Sequence, residues 1–376
     1  MATVLPIPRK PVRARNVPAL GDQLFRLVCQ ASAWTIIGLA VSLVIVLAIE
    51  SWPFFRSVHL EFLRVVPWNP GGARPSYGGL ALIYGTLSTS AIAMLFAVPL
   101  GVGTAAFLAE IAPGWLRAGG TFLVELLAAI PSVVYGLWGL QVFAPKLGGP
   151  GILPAGLVLA VMVLPYIAAV SFDVCRAVPQ SQREAALALG ATRWQVIRTT
   201  VLPYARPGIV AACFLALGRA LGETMAVTMI IGNKALAIES PVTGVGDSIA
   251  SVIANQLNEA TSDLQRSGLV ALGLLLLLVT VTVNVLARIL IGRMGRHPPN
   301  SSVARGPGGE GLSAGKRDYR SPRLSPPRAM GARRAQSANR LMTAALAGCL
   351  IATLAPLFLI LAFIVMRGLP GLSWSF

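Results

Sequence analysis

The sequence has few charged residues. Asp, Glu, Lys and Arg make up 12% of its 376 residues, whereas 55% are hydrophobic and the mean hydropathy is +0.72. A soluble protein of several domains needs a larger polar surface, so this composition excludes that class. Because membrane-spanning helices require runs of about 20 apolar residues, we expect an all-α polytopic membrane protein.

Cysteine and histidine are also scarce. The four cysteines contain no C-x-x-C pair, and the two histidines have no Ser, Asp or Cys partner at a recognisable spacing. This pattern argues against a disulfide framework, a metal site or a nucleophilic catalytic centre. We expect a chain that is not an enzyme and that holds no cofactor or metal.

Acidic residues are outnumbered by basic ones, 14 to 31, which gives a net charge of +17. The positions of the basic residues follow membrane topology rather than a nucleic-acid site. With the N-terminus inside, the predicted inside segments hold 23 of the 31 Lys and Arg residues, and the outside segments hold seven. Such a bias favours a cytoplasmic N-terminus. The predicted spans are 31–50, 80–108, 119–143, 151–173, 207–232, 267–291 and 341–366.

The spans divide the chain into four parts. Residues 1–30 form an N-terminal tail, and 31–292 form a six-span domain with a long inside loop at 174–206. Residues 293–339 are rich in Arg, Gly, Pro and Ser, so we expect a disordered basic linker. One further span follows at 340–376. Within the linker, Glu310 and Arg317 break a loose match to a phosphate-cradling loop, so any ATP is bound by another chain.

The inside loop predicts two short helices joined by a glycine, here called the elbow (residues 181–198). Ser181 with Glu184, and Thr192 with Gln195, fit capping boxes at the start of each helix. Gly190 lies between them and can adopt the left-handed conformation that ends a helix. We expect Pro203 to block further helix before the next span. The elbow is suited to docking into another protein.

At these residues the chain resembles a known family. The string "EAALALG", nine residues and then "TVLP" resemble the EAA loop of ABC importer permeases. The matching residues are Glu184, Ala185, Ala186, Gly190, Leu202 and Pro203, while Thr200 stands where the pattern has Ile. The resemblance implies that this loop couples the permease to two ATPase subunits.

Three further strings narrow the resemblance. They are "YGTLSTSAIAMLFAVPLGVGTAAFLAE", "ELLAAIPSVVYGLWGL" and "GRALGETMAVTMIIGN", and they resemble PstC-type permeases of phosphate importers over about residues 25–292. The end of the chain, from about Arg340, resembles the first span of the partner, a PstA-type permease. The chain thus resembles a fusion that stops after the second permease begins, as a truncation, a frameshift or a split gene would produce.

An arginine and a glutamate lie inside the fifth predicted span. Arg219 is 12 residues after Pro207, ~18 Å along the helix and near mid-bilayer, with Glu223 one turn further. Each charge costs roughly 2.5–3.5 kcal/mol there. In a continuous helix the two share a face and can pair. Either they form a salt bridge that specifies helix packing, or this face lines a substrate path in which the guanidinium binds an anion.

Other polar residues in or near the spans have competing interpretations. Glu125 can pair with Arg219, face the inside opening or support helix packing. Pro131 should kink the third span, with Ser132 bonding a freed carbonyl group. Hydroxyls in the second span either line a path or bond to their own helix. The string "DSIASVIANQL" predicts a helix capped by Asp247, lying at the interface or forming a docking surface.

Together these features predict an ABC type I importer permease (MetI-like) with six core spans and one appended C-terminal span. The resemblance implies inorganic phosphate import across the bacterial inner membrane. It also implies three kinds of partner: a PstA-type permease, two ATPase subunits and an extracytoplasmic phosphate-binding protein. The alternatives are a permease for another oxyanion, an ion-coupled secondary transporter, and a non-transporting remnant of a permease fusion.

Overall fold

The computed structural model describes residues 20–71, 75–234, 243–294 and 332–368. Most of the N-terminal tail and most of the predicted linker, including the loose phosphate-loop match, therefore lie outside the described residues. The described chain is built from helices, with one short antiparallel pair of strands, β1 (Trp68–Asn69) and β2 (Ser76–Tyr77).

Long apolar helices confirm the predicted fold class. In the described ranges, six helical segments are long and apolar enough to cross a membrane, and a bent pair makes a seventh. The long helices are α1 (Leu20–Val58), α2 (Leu80–Glu110), α5 (Ile152–Arg176), α8 (Leu202–Gly222), α11 (Asp263–Met294) and α12 (Ala332–Gly368).

The third predicted span is broken rather than kinked. Helix α3 (Gly114–Ala129) and the segment that begins with α4 (Ser132–Trp138) meet at 88°, with Ile130 and Pro131 in extended conformation between them. A π-helical turn (Gly139–Phe143) and a 3-10 turn (Ala144–Leu147) follow α4. Pro131 explains the break, because it cannot donate the hydrogen bond that a continuous helix needs.

Helix α5 lies at the centre of the core. It packs along α2 through close approaches at two glycines, Gly156 against Ile92 and Gly101 against Ile167. It also contacts α3, α8 and the short helix α9 (Met225–Ile231). Because lipid tails are as apolar as Leu, close packing at small residues is what holds such helices together.

The elbow confirms some local predictions and contradicts two. Helix α6 (Gln180–Ala188) is followed by Leu189 and then by Gly190, whose φ is +82° as expected of a residue that ends a helix. Thr192 and Gln195 form the predicted capping box at α7 (Arg193–Val196). The Ser181–Glu184 capping box is wrong. The helix begins after Pro179, which places Ser181 inside the first turn, where it cannot act as the cap.

The predicted helix stop at Pro203 is also wrong. Helix α7 continues through a π-helical turn (Ile197–Val201) into α8, with Pro203 in the first turn of α8. In a π turn each backbone N–H bonds to the carbonyl five residues earlier instead of four. Proline has no backbone N–H, but in the first turn of a helix that group has no helical acceptor, so Pro203 is tolerated there. The second helix of the elbow and the following span therefore form one continuous helix.

The predicted helix near residue 250 is present as α10 (Ile249–Gln256), and it packs against α2 and α11. Its cap differs from the prediction. Ser248 is the capping residue, and its hydroxyl accepts a hydrogen bond from the Ser251 N–H at 3.1 Å. Asp247 lies one position earlier and is buried beside Gly85 of α2.

Candidate functional site

The fifth predicted span breaks within the Arg219–Glu223 motif. Helix α8 ends at Gly222, Glu223 is extended (φ −71°, ψ 129°), and the chain resumes as α9 at Met225. The predicted ion pair between Arg219 and Glu223 is not formed, because the i, i+4 geometry requires both residues to be helical. Among the residues that the structure describes, the one ion pair lies elsewhere.

Arg219 instead faces an aromatic ring. Its guanidinium carbon lies 4.5 Å from the ring centroid of Tyr166 on α5, which is a cation–π contact. Arg219 is exposed and Glu223 is half-buried. An arginine held by a ring rather than by a carboxylate keeps its hydrogen-bond donors available for an anion.

Tyr166 also connects Arg219 to the break in the third span. Its hydroxyl donates a hydrogen bond of 3.3 Å to the carbonyl oxygen of Ala128, and the hydroxyl of Tyr135 donates one of 2.6 Å to that of Leu127. Both carbonyl groups lie in the last turn of α3, where the break removes the N–H partners four residues further on, and that of Leu127 also accepts a 3.4 Å bond from the Ile130 N–H. Two tyrosines therefore fill the role predicted for Ser132. We call Tyr135, Tyr166, Arg219 and Glu223 the break site.

The short helices after the two breaks pack against each other. Gly136 of α4 lies against Ala226 and Met229 of α9, so closely that a methyl group on Gly136 would meet the Met229 sulfur. Sequence reasoning missed both tyrosines. A usable signal was present, since a phenol in an apolar span needs a hydrogen-bond partner and Tyr135 follows Pro131 by one turn.

Glu125 does not join the break site. It lies on α3 between the buried residues Val124 and Leu127, and its own side chain is exposed. It forms no ion pair with Arg219. The predicted pairing of Glu125 with Arg219 is therefore not formed, while the other two interpretations of Glu125 stay predictions.

The hydroxyls of α2 mostly serve their own helix. Thr86 donates to the carbonyl oxygen of Leu82, and Thr89 donates to that of Gly85, each at 2.8 Å. The Thr86 oxygen also accepts a hydrogen bond from the Ile249 N–H at 3.0 Å, which fixes the start of α10. These contacts support the structural interpretation of Thr86 and Thr89.

The elbow is fastened to two long helices by Arg183. The Nη2 atom lies 2.8 Å from Glu110 Oε1 at the end of α2 and donates a 2.8 Å hydrogen bond to the Cys175 carbonyl of α5. Nη1 donates to the Val178 carbonyl at 2.6 Å. Sequence reasoning overlooked Arg183, although it directly precedes Glu184 and an acidic residue, Glu110, lies two positions after the second predicted span.

The residues matched to the EAA pattern are exposed or half-buried. Glu184 and Ala185 are exposed, and Ala186 is half-buried. Gly190 is exposed with open space around its Cα, while Leu202 is half-buried and Pro203 is exposed at the start of α8. Of these residues, Glu184 lines a cavity of about 450 Å³, together with Ala109, Glu110, Arg117, Arg176, Gln180, Arg183, Leu187, Arg193 and Val196.

Comparison with known proteins supports the architecture. The family model "Binding-protein-dependent transport system inner membrane component" matches residues 97–296. A chain from the crystal structure of a bacterial alginate ABC transporter, in complex with an alginate pentasaccharide-bound periplasmic protein, has a similar fold. The TM-score is 0.53 at 18% sequence identity, over 73% of this chain and 95% of that one.

Several curated proteins are more similar to this chain in sequence than the alginate transporter is. Phosphate transport system permease protein PstC of Mesorhizobium japonicum is 41% identical over 302 residues, covering 73% of this chain and 91% of that protein. PstC of Haemophilus influenzae is 41% identical over 299 residues, covering 73% and 94%. PstC 2 of Mycobacterium tuberculosis is 37% identical over 298 residues, covering 72% and 92%. This chain belongs to the family of binding-protein-dependent transport system inner membrane components.

Proposed function

We propose that this chain is a permease subunit of an ATP-driven (ABC) importer of inorganic phosphate. The observation that carries the proposal is its 41% identity, over 73% of its length, to proteins named as phosphate transport permeases. The geometry of Arg219 supports an anionic substrate, since its guanidinium is held by a ring and not neutralised by Glu223. The chain transports and does not catalyse; partner ATPase subunits hydrolyse ATP.

The assembly would hold two permeases, two ATPase subunits and an extracytoplasmic phosphate-binding protein. The second permease is of the PstA type, and α12 resembles the start of such a permease. The N-terminus and the elbow lie in the cytoplasm of a bacterial cell, an orientation supported by the excess of Lys and Arg in the segments on that side. The basic segment 295–331 connects α11 to α12.

The break site would border the phosphate path. The Arg219 guanidinium offers parallel N–H donors that match two phosphate oxygens. Glu223, four residues further along the chain, limits how tightly the anion is held, because like charges repel across a short distance. Glu125, on an exposed face of α3, contributes at the opening of the same path.

The elbow would transmit the ATPase movement. Glu184, Ala185, Ala186 and Gly190 form its docking face, while Leu202 and Pro203 begin the span that carries Arg219. The second helix of the elbow, α7, is continuous with α8 as far as Gly222, so a displacement that passes from the docking face across Gly190 to α7 also moves Arg219. Closure of the ATPase pair therefore changes the side to which the path opens.

Phosphate-stimulated ATPase activity of the complex in proteoliposomes tests this function. Arg219→Ala should lower the stimulation by about tenfold or more, as expected when one charged hydrogen-bond partner is lost. Arg288→Ala, at an exposed position on α11, is the matched control and should retain stimulation. Normal stimulation in Arg219→Ala would remove Arg219 from the path. Stimulation by sulfate instead of phosphate would favour another oxyanion, and uptake without ATP hydrolysis would favour an ion-coupled carrier.

A further inference from the structure

Helix α12 is seated in the six-span domain along α2. The hydroxyls of Thr104 on α2 and Thr353 on α12 are 2.8 Å apart, and Thr353 also donates to the Cys349 carbonyl. Both threonine side chains are buried. One turn away, Cys349 lies against Gly103, where any larger residue would collide with its sulfur. This combination of a buried polar contact and a close approach at glycine defines one register between the two helices.

The same helix extends to the elbow. The Asn339 side-chain oxygen accepts a hydrogen bond from the Trp194 N–H at 3.0 Å. Trp194 is in the first turn of α7, where backbone N–H groups have no acceptor within the helix. The Thr192 hydroxyl accepts from Gln195, so it does not serve Trp194. Asn339 therefore supplies the second cap of α7 from another helix.

Apolar contacts follow the same line along α12. Leu350 packs in a buried cluster with Val196 and Val201, which belong to the elbow and to the π turn after it. Further along, Leu357 and Ile360 are fully buried in the central cluster of the six-span domain. One side of α12 thus contacts both the start of α7 and the core.

We propose that α12 anchors the elbow: Asn339 holds the first turn of α7, while Thr353 and Cys349 fix α12 to α2. Movement of the elbow then passes to the core through α12 as well as through α8. That the elbow is moved by ATPase subunits rests on the proposed function. The anchoring itself depends only on contacts within this chain.

Amide hydrogen exchange over residues 191–198 tests the cap in the full chain. Asn339→Ala removes the acceptor and should speed exchange at Trp194 by about fivefold, the effect of losing one typical helix cap. Asn339→Asp keeps an acceptor oxygen and should retain the protection. Equal exchange in the wild type and Asn339→Ala would overturn the proposal, as would equal loss of protection in both variants.

A coupling measurement adds a readout that a purely structural contact would not change. In the complex with its ATPase subunits, Asn339→Ala should reduce the ratio of phosphate-stimulated to unstimulated ATPase activity by about fivefold, and Asn339→Asp should restore it. An unchanged ratio in Asn339→Ala would show that the anchor transmits nothing. If phosphate stimulates no activity in the wild type either, the proposed function fails, whereas the exchange result still stands.

A disulfide tests the register. Gly103→Cys places a second thiol beside native Cys349, with the two Cβ positions 3.1 Å apart. A disulfide needs about 3.5–4.5 Å, a small relaxation. After oxidation and cleavage at a protease site inserted in segment 295–331, the two fragments should stay joined on a non-reducing gel. The parent with Gly103 is the control and should separate. Separation of the Gly103→Cys fragments would overturn the seating of α12 on α2.

Discussion

The guanidinium of Arg183 and the carboxylate of Glu110 lie 2.8 Å apart and join the elbow to the end of α2. The two side chains are only 15% and 10% exposed, so water screens the pair little. The guanidinium also bonds carbonyl groups at the end of α5 and just after it. A single side chain therefore holds the elbow to both α2 and α5, the two helices that pack along each other in the core.

Removal of Arg183 should loosen the elbow. Arg183→Ala leaves Glu110 buried without its cation and frees two carbonyl groups, at a cost of roughly 3 kcal/mol or more. We expect faster hydrogen exchange across residues 180–190 and a lower ratio of phosphate-stimulated to unstimulated ATPase activity. Exchange measured by mass spectrometry and ATPase assays on the same preparation check both effects.

A double variant is the control for this pair. In Glu110→Gln with Arg183→Met, neither residue is charged, so the penalty for an unpaired buried charge is absent. The double variant should be more stable than Arg183→Ala, although it still lacks the carbonyl contacts. Equal stability of the two would show that the ion pair contributes little and that the carbonyl contacts hold the elbow.

The ring of Tyr166, rather than its hydroxyl, should position Arg219. Tyr166→Phe keeps the aromatic face and loses only the bond to the Ala128 carbonyl, whereas Tyr166→Leu removes the cation–π contact, worth about 0.5–2 kcal/mol. We expect Tyr166→Leu to raise the phosphate concentration for half-maximal ATPase stimulation by about two- to thirtyfold. Tyr166→Phe should stay near the wild-type value. An equal defect in both variants would indicate that the hydroxyl at the helix break matters more.

Hydropathy was sufficient to predict the spans but not their breaks. Apart from Arg219 and Glu223, the run from residue 207 to 232 is apolar on both sides of Gly222, so its hydropathy does not separate α8 from α9. The rule that pairs Arg219 with Glu223 assumes a continuous helix, and it fails at an extended Glu223. The contact that replaces the ion pair comes from Tyr166, 53 positions earlier, which no local pattern relates to Arg219.

In the elbow, the sequence predicted correctly those features that depend on hydrogen bonds between nearby residues. Gly190 and the Thr192 capping box depend on bonds within four residues, and both were predicted correctly. The predicted Ser181 cap failed because Pro179 starts the helix earlier, and the predicted stop at Pro203 failed because a π turn precedes it. Arg183 bonds groups up to 73 residues away, which sequence spacing does not reveal.

A methyl group at Gly85 should displace the segment before α10. The Cβ of an alanine there would overlap the backbone carbonyl oxygen of Asp247, which cannot move without shifting its segment. We expect Gly85→Ala to destabilise the protein by about 1–3 kcal/mol, the usual range for overpacking. Gly38→Ala on α1, with no atom within 4 Å of the new methyl, is the control and should be neutral or slightly stabilising. Thermal unfolding in detergent measures both, and an intact Gly85→Ala would contradict the close approach.

The buried carboxyl of Asp247 should make the segment before α10 sensitive to pH. Burial raises the pKa of Asp247 to about 6, and the 2.8 Å hydrogen bond from the Ser248 N–H to its carboxylate only partly opposes this. Because the pKa of Asp247 is higher in the folded than in the unfolded protein, protonation of Asp247 favours the folded state. This contribution to stability is fully present below the unfolded pKa and is lost as pH rises through about 6. Exchange across residues 243–256, corrected for intrinsic rates, should therefore be slower at pH 5 than at pH 7.5. Asp247→Asn is neutral at both pH values and should abolish the difference; a difference that persists in this variant would assign the pH sensitivity to another group.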